Sequence, residues 1–233
     1  MPPQDRPASD RNAAHLLPKP LLRGWSHAVA AVAALVTTVA LVKLSGDDVA
    51  RAVSMLIFGL SMVVMYTVSA IYHIGRWRPA TARVLRALDH ANIYLLIAGT
   101  FTPLCLNVLD GLFRDAMLVI IWSIALLGVG LSVFTEHLPR FVTAGLYIGM
   151  GWIGVVVVPA FAKLMPWPAV AVLLLGGLLY TVGALVYALR RPDPYPQVFG
   201  FHEIFHLFVI GGSAAFTVTI WVWVLPYTRA VAG

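Results

Sequence analysis

Residues 202–225 read HEIFHLFVIGGSAAFTVTIWVWVL: two histidines and a glutamate within the first five positions, then nineteen residues without a charge. About 20 apolar residues let a helix cross the hydrocarbon core of a bilayer. The stretch is therefore a membrane span with its ionisable groups gathered at one mouth. Working outward, the windows 25–42, 52–74, 88–106, 116–134, 141–161 and 168–189 have the same apolar character. Seven spans with short connections predict an all-α integral membrane protein, a single seven-transmembrane helix bundle with neither a soluble domain nor an internal repeat. Composition agrees: 60% of the 233 residues are apolar and 11% charged, against about 25% charged in soluble domains.

The formal charge of +6 does not point to nucleic acid, because the basic residues sit in short connections between apolar runs. Their distribution sets an orientation. Arg6, Arg11, Lys19, Arg23, Arg76, Arg78, Arg83, Arg86, Arg140, Arg190 and Arg191 fall on the side of the N-terminus, eleven in all, and Lys43, Arg51, Arg114, Lys163 and Arg229 on the other, five in all. This bias predicts a cytoplasmic N-terminus and an outside C-terminus, the reverse of a G-protein-coupled receptor. Residues 1–24, broken by Pro2, Pro3, Pro7, Pro18 and Pro20, read as a mobile cytoplasmic tail without a cleaved signal peptide. Residues 25–225 form the transmembrane domain and 226–233 a short extracytoplasmic tail. Cys105, the single cysteine, lies within an apolar window, so no intramolecular disulfide is expected.

On that topology all seven histidines lie toward the cytoplasmic face. His15 is in the tail, His27 opens the first span, His73 closes the second, His90 opens the third, His137 follows the fourth, and His202 and His206 open the seventh. The carboxylates within spans, Asp89 and Glu203, lie near the same ends. Histidines four apart on a helix point the same way and can reach one metal ion. A lone interfacial histidine is satisfied by a carbonyl or a headgroup, the reading given to His15, His27 and His137. Asp89 and Glu203 could each merely cap a helix, and Ser69 could bond its own backbone. The conjunction of Ser69 with His73, Asp89, and His202 with His206 favours a shared metal, since three histidines plus a water is an open zinc geometry. Gly145, Gly149, Gly176, Gly177, Gly211 and Gly212 read as close helix approaches. Pro103 and Pro159 read as kinks, and Trp152, Trp167, Trp221 and Trp223 as interface anchors.

His202-Glu203-Ile204-Phe205-His206 also spells the H-E-x-x-H of zinc proteases, in which the glutamate activates water. The Leu109-Asp110-Gly111 that could supply an intramembrane protease's third ligand sits on the opposite membrane face, roughly 30 Å away. His73 is the better third ligand.

Three motifs carry a family resemblance: Ser69-Ala70-Ile71-Tyr72-His73; Leu88-Asp89-His90 followed by Ile93-Tyr94 and Ile97-Ala98-Gly99-Thr100-Phe101-Thr102-Pro103; and Phe201-His202-Glu203-Ile204-Phe205-His206. Across residues 21–225 the chain resembles the hemolysin III family, the bacterial branch of the progestin and adipoQ receptors, within a wider group of membrane hydrolases that includes alkaline ceramidases. The resemblance implies that His73, His202 and His206 bind Zn²⁺, that Asp89 supports the water at the metal, and that Ser69 lies beside it. It further implies a multi-pass protein of a bacterial plasma membrane. Many relatives carry an acid shortly before the first-span histidine, whereas Leu21, Leu22 and Arg23 precede His27 here, so no role of that acid carries over.

The chemistry expected of such a site is hydrolysis of a lipid amide or ester, with Asp89 as general base then acid and Ser69 as oxyanion donor. A membrane lipid is the expected substrate or ligand, and no nucleic acid is expected. Two rivals stand beside it: a zinc-stabilised receptor or structural bundle without turnover, and a membrane-lytic protein. A fourth protein ligand on the metal would favour the structural rival.

Overall fold

A computed structural model describes residues 20–135 and 138–228. The expected tail up to residue 19, His15, His137 and Arg229 lie outside the described residues. Every described element is helical, apart from one isolated bridge between Tyr195 and Phe199. The helices are α1 (Trp25–Leu44), α2 (Val49–Ile74), α3 (Pro79–Val108), α4 (Gly111–Phe134), α5 (Arg140–Trp152), α6 (Gly154–Leu164), α7 (Trp167–Leu189) and α8 (Phe201–Thr219), the last continued by a π-helical turn at Ile220–Val224. With α5 and α6 forming one span, seven spans are long and apolar enough to cross a membrane. The protein is a multi-pass integral membrane bundle.

Consecutive helices α1 to α4 pack side by side, α5 and α8 pack on α7, and α8 returns to α1. Helix α3 is the most buried span and contacts both halves. Its composition fits that place, because Ala91, Ala98, Gly99, Thr100 and Thr102 keep its surface narrow. Thr100 and Thr102 donate to carbonyls one turn back, so their hydroxyls bring no unpaired donor into the bilayer. Helix α3 begins nine residues before the apolar window 88–106 because residues 79–87 are good helix formers with Pro79 at the first turn. Hydropathy marks the apolar length of a helix, not its hydrogen-bonded length.

Two polar ties cross the apolar interior. Tyr66 Oη donates to Ser213 Oγ at 2.6 Å, and Tyr180 Oη lies 2.8 Å from the same oxygen, joining α2, α7 and α8. Asn107 Nδ2 donates to Ser54 Oγ at 2.8 Å, joining α3 and α2. In hydrocarbon such groups must be satisfied within the protein.

The small-residue reading is corrected in part. Built side chains at Gly145, Gly149 and Gly177 would meet nothing within 4 Å, whereas Gly176 abuts Phe216 and Gly212 abuts Tyr180. Gly59 and Gly99 provide further close approaches, against Thr38 and Ser61. Helix α3 runs uninterrupted through Pro103, and the fifth span divides at Ile153, six residues before Pro159. Trp152 is half exposed with its Nε1 donating to Thr181, while Trp223 packs against the main core. Cys105 is buried and unpaired.

Candidate metal centre

Three spans bring these polar residues to one end of the bundle. Ser69 and His73 lie on the last two turns of α2, Asp89 on the third turn of α3, and His202 and His206 on the first two turns of α8. The 3.6-residue period stacks each i,i+4 pair on one face. One ring nitrogen from each of His73, His202 and His206 lies within 4.8 Å of the others. His202 Nε2 and His73 Nε2 are 3.1 Å apart, close to the ~3.3 Å edge of a tetrahedron with metal–nitrogen bonds of about 2.0 Å. His73 and His206 are buried and His202 half-buried. Among the described residues His206 Nδ1, Asp89 Oδ1 and Ser69 Oγ are buried with no hydrogen-bond partner. Unpaired buried polar atoms are costly unless a ligand or water completes them. The three imidazoles fit a single metal ion.

Asp89 Oδ2 stands 3.6 Å from His73 Nε2, while the mutually close group consists of the three histidines. Asp89 lies well inside α3, so its reading as a helix cap fails: the helix starts ten residues earlier. Glu203 does act as a cap. Its Oε2 accepts from Gly200 N–H at 2.7 Å, and its Oε1 accepts from Arg23 Nε at 2.7 Å. Both oxygens are thus held at the start of α8, away from the role a protease glutamate needs. Asp110, at the N-cap of α4, is 21 positions along from Asp89, and the intervening helix spans about 30 Å. Neither protease element reaches the three histidines.

His27 departs from the headgroup reading. It is 0% exposed, and its ring stacks on His206 with centroids 3.7 Å apart and planes 11° from parallel. The Tyr66 ring lies nearby, tilted by 53°, with its centroid 5.0 Å from that of His27. His27 therefore fixes the plane of one candidate ligand. Arg23 ties the segment before α1 to α8, across 180 positions of sequence. Between them Gly24 turns with φ +87, and a Cβ there would lie 2.9 Å from the Cβ of His73. Both the backbone conformation and the close approach call for glycine. Gly24→Ala should cost about 2–4 kcal/mol from strain and overpacking. It should also loosen metal retention, seen as a lower melting temperature and a lower metal content after the same dialysis.

Two cavities meet this end. A chamber of about 1300 Å³ is walled by His73, Asp89, His90 and His202 together with Arg23, Arg86, Arg140, Tyr72 and Tyr187. A smaller cavity of about 350 Å³ is lined by Ile93, Leu96, Tyr147, Ala184, Phe205 and other apolar residues. The two share helices one turn apart: Asp89 with Ile93 on α3, Thr143 with Tyr147 on α5, Phe201 with Phe205 on α8. A polar chamber thus stands on an apolar slot.

The fold and the site define a seven-helix membrane protein that gathers three histidines at one end of its bundle. The sequence model of the family described as Haemolysin-III related matches residues 15–217, and the chain belongs to that family. It is 37% identical over 163 residues to the Hemolysin-3 homolog of Bacillus subtilis (strain 168), covering 70% of this chain and 73% of that one. It is 36% identical over 176 residues to Hemolysin-3 of Bacillus cereus, covering 75% and 76%. A more distant relative is the human Monocyte to macrophage differentiation factor, 28% identical over 203 residues, covering 84% and 81%.

Proposed function

We propose that this protein is a zinc-dependent hydrolase of a lipid amide or ester. The observation that carries the reading is the carboxylate of Asp89 set 3.6 Å from a nitrogen of the histidine triad, on the wall of a chamber wide enough for a lipid headgroup. A set of neutral imidazoles suits zinc among the available ions. When bound, Zn²⁺ would supply Lewis acidity toward a carbonyl and toward water.

The chain's own residues supply the remaining steps. Asp89 takes the proton of the attacking water at Oδ1, the oxygen left unpartnered, and returns it to the leaving amine or alkoxide. Ser69, one turn before His73, donates its hydroxyl to the carbonyl oxygen as charge builds there. The stacked cavities support an amphiphile as substrate, with its headgroup in the chamber and its chain in the apolar slot. A triad of histidines, with no fourth residue in the mutually close group among the described residues, supports an open site over a closed structural one. Lipid damage by such an enzyme would also account for the name carried by the Bacillus relatives.

The test is hydrolysis of a panel of lipid amides and esters by the purified protein. Turnover lost on chelation and restored by Zn²⁺ is the expected result. A metal-bound structure closed by a fourth protein ligand, together with silence across the panel, would overturn the reading.

The bias of positive residues supports an orientation with the site end of the bundle at the inner face of a plasma membrane, residues 1–24 in the cytoplasm and 226–233 outside. A C-terminal reporter active only in the cytoplasm should then stay silent. A strong signal from a stable fusion would reverse the orientation.

A further inference from the structure

We infer that the chamber holds an anionic group, a carboxylate or phosphate, and that Arg140 is the residue that recognises it. The inference rests on the hydrolase reading above only for the neighbouring scissile bond. Five arginines line the chamber, Arg23, Arg76, Arg83, Arg86 and Arg140, against one carboxylate among its described lining residues, Asp89. A cytoplasmic bias of positive charge accounts for exposed arginines such as Arg76 and Arg83. It does not account for Arg140.

The Arg140 guanidinium carbon lies 5.4 Å from the ring centroid of Tyr187 and 5.9 Å from that of Phe201. Those rings hold the guanidinium group over the chamber, and its Nη1 is buried with no hydrogen-bond partner. No carboxylate of the described residues forms an ion pair with it, whereas Arg23 is committed to Glu203. A planar cation resting on aromatic faces, with a buried donor left over, presents a fork for a carboxylate or phosphate. Phe201 precedes His202 in sequence, and Tyr187 meets His202 edge-on at 6.2 Å. An anion on Arg140 therefore lies one aromatic ring from the candidate metal ligand, and the bond next to that anion is brought toward Asp89.

The anion could belong to a lipid headgroup or to a free oxyanion, and the two arms of one experiment tell them apart. The zinc-loaded full-length protein, reconstituted in nanodiscs of zwitterionic lipid, is titrated with N-dodecanoylglycine and with N-dodecanoylethanolamine, which differ in a carboxylate against a hydroxyl. The wild type should hold the carboxylate form at least about tenfold tighter, the range of a charge-assisted hydrogen bond. Arg140→Gln should abolish that preference and Arg140→Lys should restore part of it. Asp89→Asn is titrated alongside, so that binding is read without turnover: loss of hydrolysis with the preference retained separates this inference from the enzyme reading. Inorganic phosphate and phosphatidylglycerol are then added as competitors. Displacement by phosphate assigns the site to a free anion, and displacement by the lipid alone assigns it to a headgroup. Equal affinity for the two amides in the wild type overturns the inference, and so does a preference that survives in Arg140→Gln. If Arg140→Gln fails to fold, the wild-type and Arg140→Lys ratios decide.

Discussion

The wild-type protein should carry about one zinc ion per chain, and replacing His202 or His206 by alanine should remove most of it and lower the melting temperature in the same step. The coupling follows from where the ligands stand. His73 ends α2 and His202 and His206 begin α8, two spans also joined by the Tyr66–Ser213 hydroxyl pair, the Thr217 hydroxyl donating to Met62 Sδ, and apolar packing. A metal bound by the folded chain alone stabilises it by about 2.7 kcal/mol at a free concentration one hundredfold above Kd. For a chain of this size that is on the order of 5–10 °C. Metal content by mass spectrometry and a thermal melt with and without chelator measure both quantities. Glu203→Gln supplies the control. It keeps an oxygen for the Gly200 N–H and loses the ion pair with Arg23, so it should lower the melting temperature while leaving zinc near one per chain. A His73, His202 and His206 triple variant that still holds stoichiometric zinc would place the metal elsewhere.

The fold was legible because the bilayer imposes one length and one composition on every span, and the seven apolar windows each contain no more than a few charges. What hydropathy could not mark were the parts that leave the hydrocarbon. The first turns of α3, with Arg83 and Arg86, are helical by hydrogen bonding and propensity and carry no apolar signal. The fifth span divides at Ile153, just after Gly149, Gly151 and Trp152 and six residues before Pro159, which the sequence offered only as a kink. Glycine spacing misled for a related reason: Gly145 and Gly149 lie four apart, yet the partner helix does not approach them.

The candidate site was legible wherever a motif repeats at i,i+4 on one helix, as with Ser69 and His73 or His202 and His206. It was illegible wherever two distant segments meet. Nothing local in the sequence distinguishes His27 from an interfacial histidine, because its burial against His206 depends on how α1 packs on α8. The Arg23–Glu203 pair is hidden in the same way, although an arginine just before the first span and a glutamate just inside the last are each unusual enough to ask for partners. Gly24 left the clearest local mark: a glycine ahead of the first helix, required by a left-handed turn against His73.

Asp89→Asn should keep most of the zinc and lose hydrolysis by roughly 10²–10⁴-fold, the range of a general acid–base group. The substitution preserves shape and removes the ability to take a proton. Asp89 lies beside the triad and outside the set of mutually close ligand atoms, which is why zinc content should survive. Ser69→Ala should cost less, since oxyanion support would be shared with the metal. The comparison that decides between chemistries is Glu203→Gln. In an H-E-x-x-H protease that change abolishes turnover and a carboxamide at Asp89 is tolerated. Here Glu203 is tied to Arg23 and Gly200, so the expected order is reversed: turnover persists in a less stable Glu203→Gln protein and collapses in a stable Asp89→Asn one. Rates per zinc-loaded molecule, measured on the same lipid amide, read that order directly. Loss of zinc in Asp89→Asn in parallel with activity would instead make the carboxylate a ligand, and would move the site toward a closed, structural centre.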